Sequence, residues 1–303
     1  MRMGFNFKRF LDSILICSSF FVFLSTPTLL TLQPESAVNA CVRADINDPN
    51  KEEEIFHENC LLRCPAGTLK DNLLVDHDII VLSSNKKTKF ADWVAYKVKI
   101  DYIVGPERLR NWAKDPNIDV QFTFIPEDYK DMSKIPYLFD RGHQAPLASF
   151  KNHPKWYMLN YLSNITPQKK DLNRGAWEKL ESAERNLVKH NEVAYVLTGP
   201  YYDAKNIIKG PFVKRINYMV PSGYWKIIAI KQGDKIKTAS FMFSQNTPSR
   251  DNYCKYLVNI PKIEQSTKLK FFGDNSFLLD GTLKNEIGCG NTSNETGVST
   301  LIG

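Results

Sequence analysis

Short stretches rich in apolar, β-branched and aromatic residues recur along the chain, whereas only one long stretch has helical periodicity. The strand-like stretches are residues 79–84, 93–104, 157–163, 193–199, 224–230 and 239–244. The helical pattern covers residues 172–190, where Ala176, Leu180, Ala183 and Leu187 recur at helical spacing. Strands with few helices between them indicate a mainly antiparallel sheet with flanking helices. Because the 303 residues are 43% hydrophobic and contain no repeat, we predict a single α+β domain.

The first 40 residues have the layout of a secretory signal. Arg2, Lys8 and Arg9 precede an apolar run over residues 14–32, and the small residues of "AVNA" follow it. We therefore expect a signal peptide that is cleaved after Ala40. An uncleaved membrane anchor is the alternative, because the run approaches the roughly 20 residues that span a bilayer. Three serines and a proline within the run favour the signal peptide.

Composition divides the rest of the chain into three parts. Residues 41–56 form a polar leader, residues 57–292 the folded domain, and residues 293–303 a flexible tail. The chain carries a net charge of +7, which suits a polyanionic partner without specifying one. We expect a secreted or periplasmic protein with no stable membrane association.

Because an exported protein enters an oxidising environment, the cysteines that follow the signal peptide are candidates for disulfide bonds. They are Cys41, Cys60, Cys64, Cys254 and Cys289. Cys60 and Cys64 would close a short loop, and Cys254 with Cys289 would link the C-terminal region, which leaves Cys41 over. A zinc site built from both cysteines of "CLLRC" and His57 is the competing hypothesis. Lipid modification of Cys41 is another alternative, which the sequence around it does not favour.

The motif "DRGHQAPLAS" at residues 140–149 presents His143 at the end of a predicted strand. A second predicted strand, "YMLNYLSNI", and then the helical segment follow it, so the order is β-β-α. On the helix, Asn173, Trp177 and Glu181 are spaced four residues apart and lie on one face. A histidine and a metal could meet in such a unit, whereas a histidine in a turn and a tryptophan in the core are the simpler interpretations.

Further blocks extend this motif in a fixed order. They are "WVAYKV", "LRNWAKDP", "DRGHQAPLAS", "LNYLSNITPQKKDLNRGAWEKLE", "YVLTGPYY", "VPSGYWKII" and "FSQNTP". Together they resemble the secreted bacterial DNA/RNA non-specific endonucleases of the ββα-metal (His-Me finger) superfamily. The resemblance implies Mg²⁺-dependent hydrolysis of single- and double-stranded DNA and RNA, with Mn²⁺ as a substitute and 5′-phosphate products. It also implies the disulfides Cys60–Cys64 and Cys254–Cys289.

The resemblance assigns a base and a metal site to residues of suitable chemistry. It implies His143 as general base, and a neutral histidine is suited to that role near neutral pH. It implies Asn173 as the direct metal ligand and Glu181 as a catalytic residue that holds metal-bound water, which agrees with the few protein ligands that Mg²⁺ accepts. Asn160 resembles the asparagine that supports the site from the second strand, and we interpret Asp140 as structural.

The same resemblance assigns the cationic residues. Arg110 is expected to stabilise the transition state or the leaving group, and Arg141 and Arg185 are expected near the phosphate, where guanidinium groups provide forked donors. Gln168, on the loop before the helix, is a weaker candidate for substrate binding. The sequence leaves a homodimer and a protein inhibitor open as partners. A secreted nucleic-acid-binding protein without catalytic activity is the alternative function.

Overall fold

The computed structural model describes residues 14–17, 41–44, 54–273 and 278–290. The strands, in chain order, are β1 (Ile14–Cys17), β2 (Cys41–Ala44), β3 (Glu54–Phe56), β4 (Leu73–Asp76), β5 (Ile80–Ser84), β6 (Ala91–Lys99), β7 (Phe139–His143), β8 (Ile165–Lys169), β9 (Val193–Tyr201), β10 (Gly223–Gln232), β11 (Lys235–Ser244), β12 (Leu257–Val258) and β13 (Leu279–Thr282). The α-helical segments are α1 (Ile100–Ile103), α2 (Lys170–Leu172), α3 (Glu178–Leu187) and α4 (Ile260–Thr267). Most of the predicted signal peptide and the predicted tail lie outside the described residues, as does the side chain of Cys41.

The central sheet has the order β12-β11-β10-β9-β6-β5-β4, and β13 pairs with β11. Every pairing within this sheet is antiparallel except that of β11 with β13. A small sheet of β1, β2 and β3 and a two-stranded sheet of β7 and β8 stand apart from it. The α+β class with a mainly antiparallel sheet is therefore confirmed. None of the helices in the described part of the chain is long and apolar enough to cross a membrane.

Both faces of the central sheet are covered. Because successive side chains on a strand point to opposite faces, neighbouring residues enter two different cores. On β10, Tyr224 and Ile228 point into the core beneath α3, whereas Trp225 and Ile227 point into a second core on the opposite face. The second core also contains Ile263 of α4 and the Cys60–Cys64 pair. Helix α3, which carries Glu181, is thus packed against the middle of the sheet.

One predicted strand is wrong. Residues 157–163 form two 3₁₀ turns, Trp156–Asn160 and Leu162–Asn164, and the second strand of the β-β-α unit is β8, a few residues later. Leu159 and Leu162 are both fully buried at a spacing of three residues, which a 3₁₀ turn satisfies and the two-residue period of a strand does not. Residues 100–103, which the sequence extends as strand, form α1.

Both disulfides expected from the sequence are present. Cys60 pairs with Cys64 at a Cα–Cα distance of 5.0 Å, and Cys254 pairs with Cys289 at 5.4 Å. The alternative zinc site is wrong, because disulfide sulfurs are not available as thiolate ligands. His57 instead contacts Asp76, with 3.1 Å between Nε2 and Oδ2.

A buried ion pair joins α3 to the sheet. Lys226 of β10 and Glu184 of α3 are both fully buried, and the Lys226 Nζ lies 2.5 Å from Glu184 Oε1. The hydroxyl of Tyr96 donates to Glu184 Oε2 over 2.9 Å, and Lys226 Nζ also lies 4.5 Å from the centre of the Trp177 ring. The two charges therefore have several polar partners in a core that excludes water.

Removing one member of this pair should destabilise the fold more than removing both. Lys226→Met leaves the Glu184 carboxylate buried without its cation, which should lower the free energy of unfolding by about 3–5 kcal/mol. The double variant Lys226→Met/Glu184→Leu should lie closer to the wild type than Lys226→Met does. Urea unfolding measures both, with Lys255→Met at an exposed ion pair as a control that should change little. A double variant less stable than Lys226→Met would contradict this account.

Candidate active site

Strand β7 presents the "DRGH" motif on a two-stranded ribbon with β8. The register places Gly142 opposite Thr166 and His143 opposite Ile165. A Cβ atom on Gly142 would lie 2.6 Å from the Gln168 Cβ, so the glycine leaves the space that Gln168 fills. The expectation that Gln168 lies on a loop and binds substrate is corrected here. It lies in β8 with 1% of its surface exposed, and it packs beneath the motif.

His143 is held by Asn160 at the end of the first 3₁₀ turn. The Nε2 of His143 lies 3.2 Å from Asn160 Oδ1, and Asn160 Nδ2 donates to the carbonyl of Leu109 over 3.2 Å. Because the Asn160 oxygen can only accept, the neutral imidazole carries its proton on Nε2 and leaves Nδ1 as the basic nitrogen. Asn160 is fully buried behind the histidine, on a turn and not on the predicted strand.

Burial lowers the pKa of His143 to about 4, and the nearby charge of Arg110 acts in the same direction. The hydrogen bond with Asn160 opposes this shift but is outweighed. The indole ring of Trp112 lies 5.2 Å from the imidazole, centre to centre. The imidazole is therefore neutral at physiological pH, which is the form that can accept a proton.

The amide of Asn173 is oriented by Asp140. Asn173 Nδ2 donates to Asp140 Oδ2 over 3.0 Å, and the Asn173 side-chain oxygen, which accepts no hydrogen bond from the described residues, can act as a ligand. Arg174 makes a forked contact with the same carboxylate through Nε and Nη2. Although burial acts to raise the pKa of Asp140, the bonds from Arg174 and Asn173 lower it overall. Asp140 thus orients the candidate metal ligand.

The predicted continuous helix over residues 172–190 is interrupted. Residues 173–177 form a π-helical turn, and Gly175 has non-helical backbone angles within it. A Cβ on Gly175 would lie 2.6 Å from the backbone of Ser249, so only glycine allows this close approach. Asn173 and Glu181 are therefore not related by eight residues of regular helix. Trp177 does not share their polar face, because it is buried in the core as its apolar surroundings predicted.

One cleft of about 840 Å³ brings most of the predicted residues together. Its lining includes Arg110, Arg141, His143, Asn173, Glu181 and Arg185. Asn160 and Gln168 lie behind the wall and do not line the cleft. Sequence reasoning missed Trp112 and Tyr129, which also line it. The aromatic residue two positions after Arg110 was a usable signal for Trp112, whereas Tyr129 had none.

Two of the three arginines, Arg141 and Arg185, have a buried guanidinium nitrogen without a hydrogen-bond partner among the described residues. The Arg141 guanidinium lies 5.4 Å from the ring centres of both Trp112 and Tyr129, and its Nε has no acceptor. Arg185 donates from Nη2 to Ser182 Oγ over 2.6 Å, but its buried Nη1 has no acceptor. Buried donors without partners are costly, so these groups suit an anionic ligand.

Glu181 lies in the same cleft in an environment that favours its protonated form. Burial raises its pKa to about 7, and the neighbouring carboxylates Glu184 and Glu178 contribute to the rise. Lys226 and Arg185 act in the opposite direction. A cation in the cleft would favour the ionised form of this carboxylate.

The chain matches a family with this site. The family model "DNA/RNA non-specific endonuclease" matches residues 66–276. A nuclease of Serratia marcescens is 40% identical over 215 residues, which cover 70% of this chain and 79% of that protein. Human mitochondrial endonuclease G is 28% identical over 70% of this chain and 73% of its own length. A solved structure of the EndoG/EndoGI complex superposes with a TM-score of 0.59 at 25% identity, covering 69% of this chain and 89% of that one.

The chain therefore belongs to the DNA/RNA non-specific endonuclease family. Its fold is that of the ββα-metal nucleases, and it is a nuclease, which hydrolyses phosphodiester bonds. Family members are metal-dependent.

The environment of His143 predicts a histidine that titrates far below the ordinary value of 6.5. Because burial disfavours the charged form, we expect the imidazole resonances to titrate with a midpoint near 4 in the metal-free protein. Arg110→Ala removes a neighbouring positive charge and should move the midpoint upward. NMR titration of the His143 Cε1–H signal, assigned with His143→Ala, measures both. A wild-type midpoint at 6.5 would show that the imidazole is not desolvated.

Proposed function

We propose that this protein is an exported, Mg²⁺-dependent endonuclease that cleaves single- and double-stranded DNA and RNA with little regard for sequence or sugar. Its products carry 5′-phosphates, and Mn²⁺ can replace Mg²⁺. The observation that carries the proposal is the neutral, oriented His143 in one cleft with Asn173, Glu181 and three arginines. Export is supported by the signal-like first 40 residues.

His143 acts as the general base. Its Nε2 proton is engaged by Asn160, so Nδ1 accepts the proton of the attacking water. Asn160 is a positioning residue, because it fixes the tautomer and the ring orientation without touching substrate. The lowered pKa of His143 keeps nearly the whole population in the basic form at neutral pH.

The residues of the cleft fit a hydrated Mg²⁺. No group of three or more histidine, cysteine, aspartate or glutamate side chains that could hold a metal occurs in the described part of the chain. A cation would instead be held directly by the free oxygen of Asn173, with Glu181 accepting hydrogen bonds from its waters. This donor set agrees with the preference of Mg²⁺ for one or two protein ligands and several waters. When bound, the ion supplies positive charge beside the scissile phosphate.

The arginines supply the remaining charge. Arg141 and Arg185 each have one buried guanidinium nitrogen without a partner in the described part of the chain. They bind the phosphate oxygens and stabilise the charge that develops on them. Arg110 is exposed at the cleft and stabilises the transition state or the leaving oxygen. Contacts to phosphate carry no sequence information, which supports the absence of sequence preference.

Partners other than nucleic acid belong to the same proposal. The EndoG/EndoGI structure describes inhibition of that endonuclease by a protein, which supports a protein inhibitor here as well. A homodimer is the assembly that we propose for the secreted enzyme. We propose no stable association with a membrane.

Plasmid digestion tests the function. The wild type should nick and linearise plasmid with Mg²⁺ and not with EDTA, whereas His143→Ala should be slower by about a hundredfold or more with substrate binding retained. His153→Ala is the matched control, because this histidine lies outside the cleft. A wild type that binds but never cleaves would favour the alternative of a nucleic-acid-binding protein, and an active His143→Ala would remove His143 from the mechanism.

Asn173 and Glu181 should respond differently to substitution. Asn173→Ala removes the direct ligand, so it should raise the Mg²⁺ concentration for half-maximal activity and lower turnover severely. Glu181→Gln still accepts a hydrogen bond from a metal-bound water, so it should be milder than Glu181→Ala. Magnesium titrations of cleavage rate compare the variants. A metal-bound structure with the Glu181 carboxylate directly on the ion would overturn this division.

A further inference from the structure

The loop between β9 and β10 exposes apolar side chains outside the catalytic cleft. Over residues 207–220, here the 207–220 loop, Phe212 is 88% exposed, Ile207 77% and Met219 45%. Exposed apolar groups gathered on one segment commonly mark an interaction site.

The charge of this loop indicates the kind of partner. The loop and the four residues before it, residues 203–220 together, carry four cations and one carboxylate. Lys209 and Lys214 flank Phe212, both are exposed, and neither forms an ion pair within the part of the chain that the structure describes. An exposed aromatic ring between unpaired cations suits a polyanion that also offers flat rings. Single-stranded nucleic acid has both properties, whereas a duplex hides the faces of its bases.

Internal contacts hold the 207–220 loop in one shape. Ile208 and Val220 form an antiparallel bridge at its base, and the Tyr218 hydroxyl donates to the Pro211 carbonyl over 2.7 Å. Arg215 Nη2 donates to the Thr123 carbonyl over 2.9 Å, which ties the loop to the neighbouring segment. Phe212 is thus presented on a folded support, so less conformational entropy is lost when it binds.

The loop packs against residues that form the wall of the catalytic cleft. Ile216 and Val220 belong to the same buried cluster as Tyr129 and Met132, which line the cleft. The Tyr218 hydroxyl lies 3.9 Å from the Met132 sulfur. The 207–220 loop is therefore anchored beside the cleft, on the side of Tyr129 and Met132.

We propose that the 207–220 loop is an accessory contact for single-stranded nucleic acid, in which Phe212 stacks on a base and Lys209 and Lys214 bind neighbouring phosphates. The proposal rests on the proposed function, because it extends the substrate path beyond the cleft. The accessory contact makes the enzyme more efficient on long strands than on short ones.

Two variants and one control test the contact. Phe212→Ala and Lys209→Ala/Lys214→Ala should each lower kcat/KM on oligothymidylate of about 30 nucleotides by about fivefold or more, mainly through KM. Neither variant should change kcat/KM for the shortest oligothymidylate that the wild type cleaves. Phe212→Ala should also leave kcat/KM for duplex DNA unchanged. Lys70→Ala/Lys231→Ala removes the same charge from exposed positions outside the cleft and should match the wild type.

Binding measured without cleavage separates this proposal from the proposed function. In the His143→Ala background, fluorescence anisotropy should show that Lys209→Ala/Lys214→Ala weakens binding of the long strand. The slope of log K against log salt concentration should become shallower by about 1.4, because two phosphate contacts are lost. Equal losses on long and short strands, or no loss on either, would overturn the accessory contact even if the enzyme cleaves nucleic acid. A wild type without nuclease activity would overturn the proposed function, whereas the anisotropy result would still decide on the loop.

Discussion

The hydrogen bond between His143 and Asn160 is the contact on which the proposed chemistry depends. It fixes the proton on Nε2, and the same asparagine binds the Leu109 carbonyl and, through its own carbonyl, the Ala113 amide. The segment that carries Arg110 and Trp112 is therefore tied to the base at both ends. The buried residue Asn160 therefore sets the tautomer of His143 and also positions the segment that carries Arg110.

A second constraint acts on the metal side of the cleft. The π-helical turn at residues 173–177 requires Gly175, because its backbone packs against Ser249. Asp140, three residues before His143, then holds the Asn173 amide. The strand that carries the base thus also orients the candidate ligand, while the buried Lys226–Glu184 pair fixes α3 to the sheet. The two halves of the site are positioned by shared contacts and not independently.

The sequence predicted the central sheet and most of the cleft, because strand composition and residue types in ordered blocks are local properties. It failed where tertiary contacts decide. Leu159 and Leu162 become buried on 3₁₀ turns. Gln168 becomes buried because Gly142 has no side chain and leaves room for it. Tyr129 could not be predicted, since its place beside Arg141 depends on two segments that meet only in the fold.

Chemical rescue tests the role of His143 most directly. In His143→Ala, the space of the missing ring is open to added imidazole, which can accept the proton in its place. The account predicts that imidazole restores cleavage in a concentration-dependent way, with a pH dependence that follows the free imidazole, and leaves the wild type and Asn173→Ala unaffected. Failure of imidazole to restore His143→Ala, or equal stimulation of Asn173→Ala, would contradict a role for His143 as the general base.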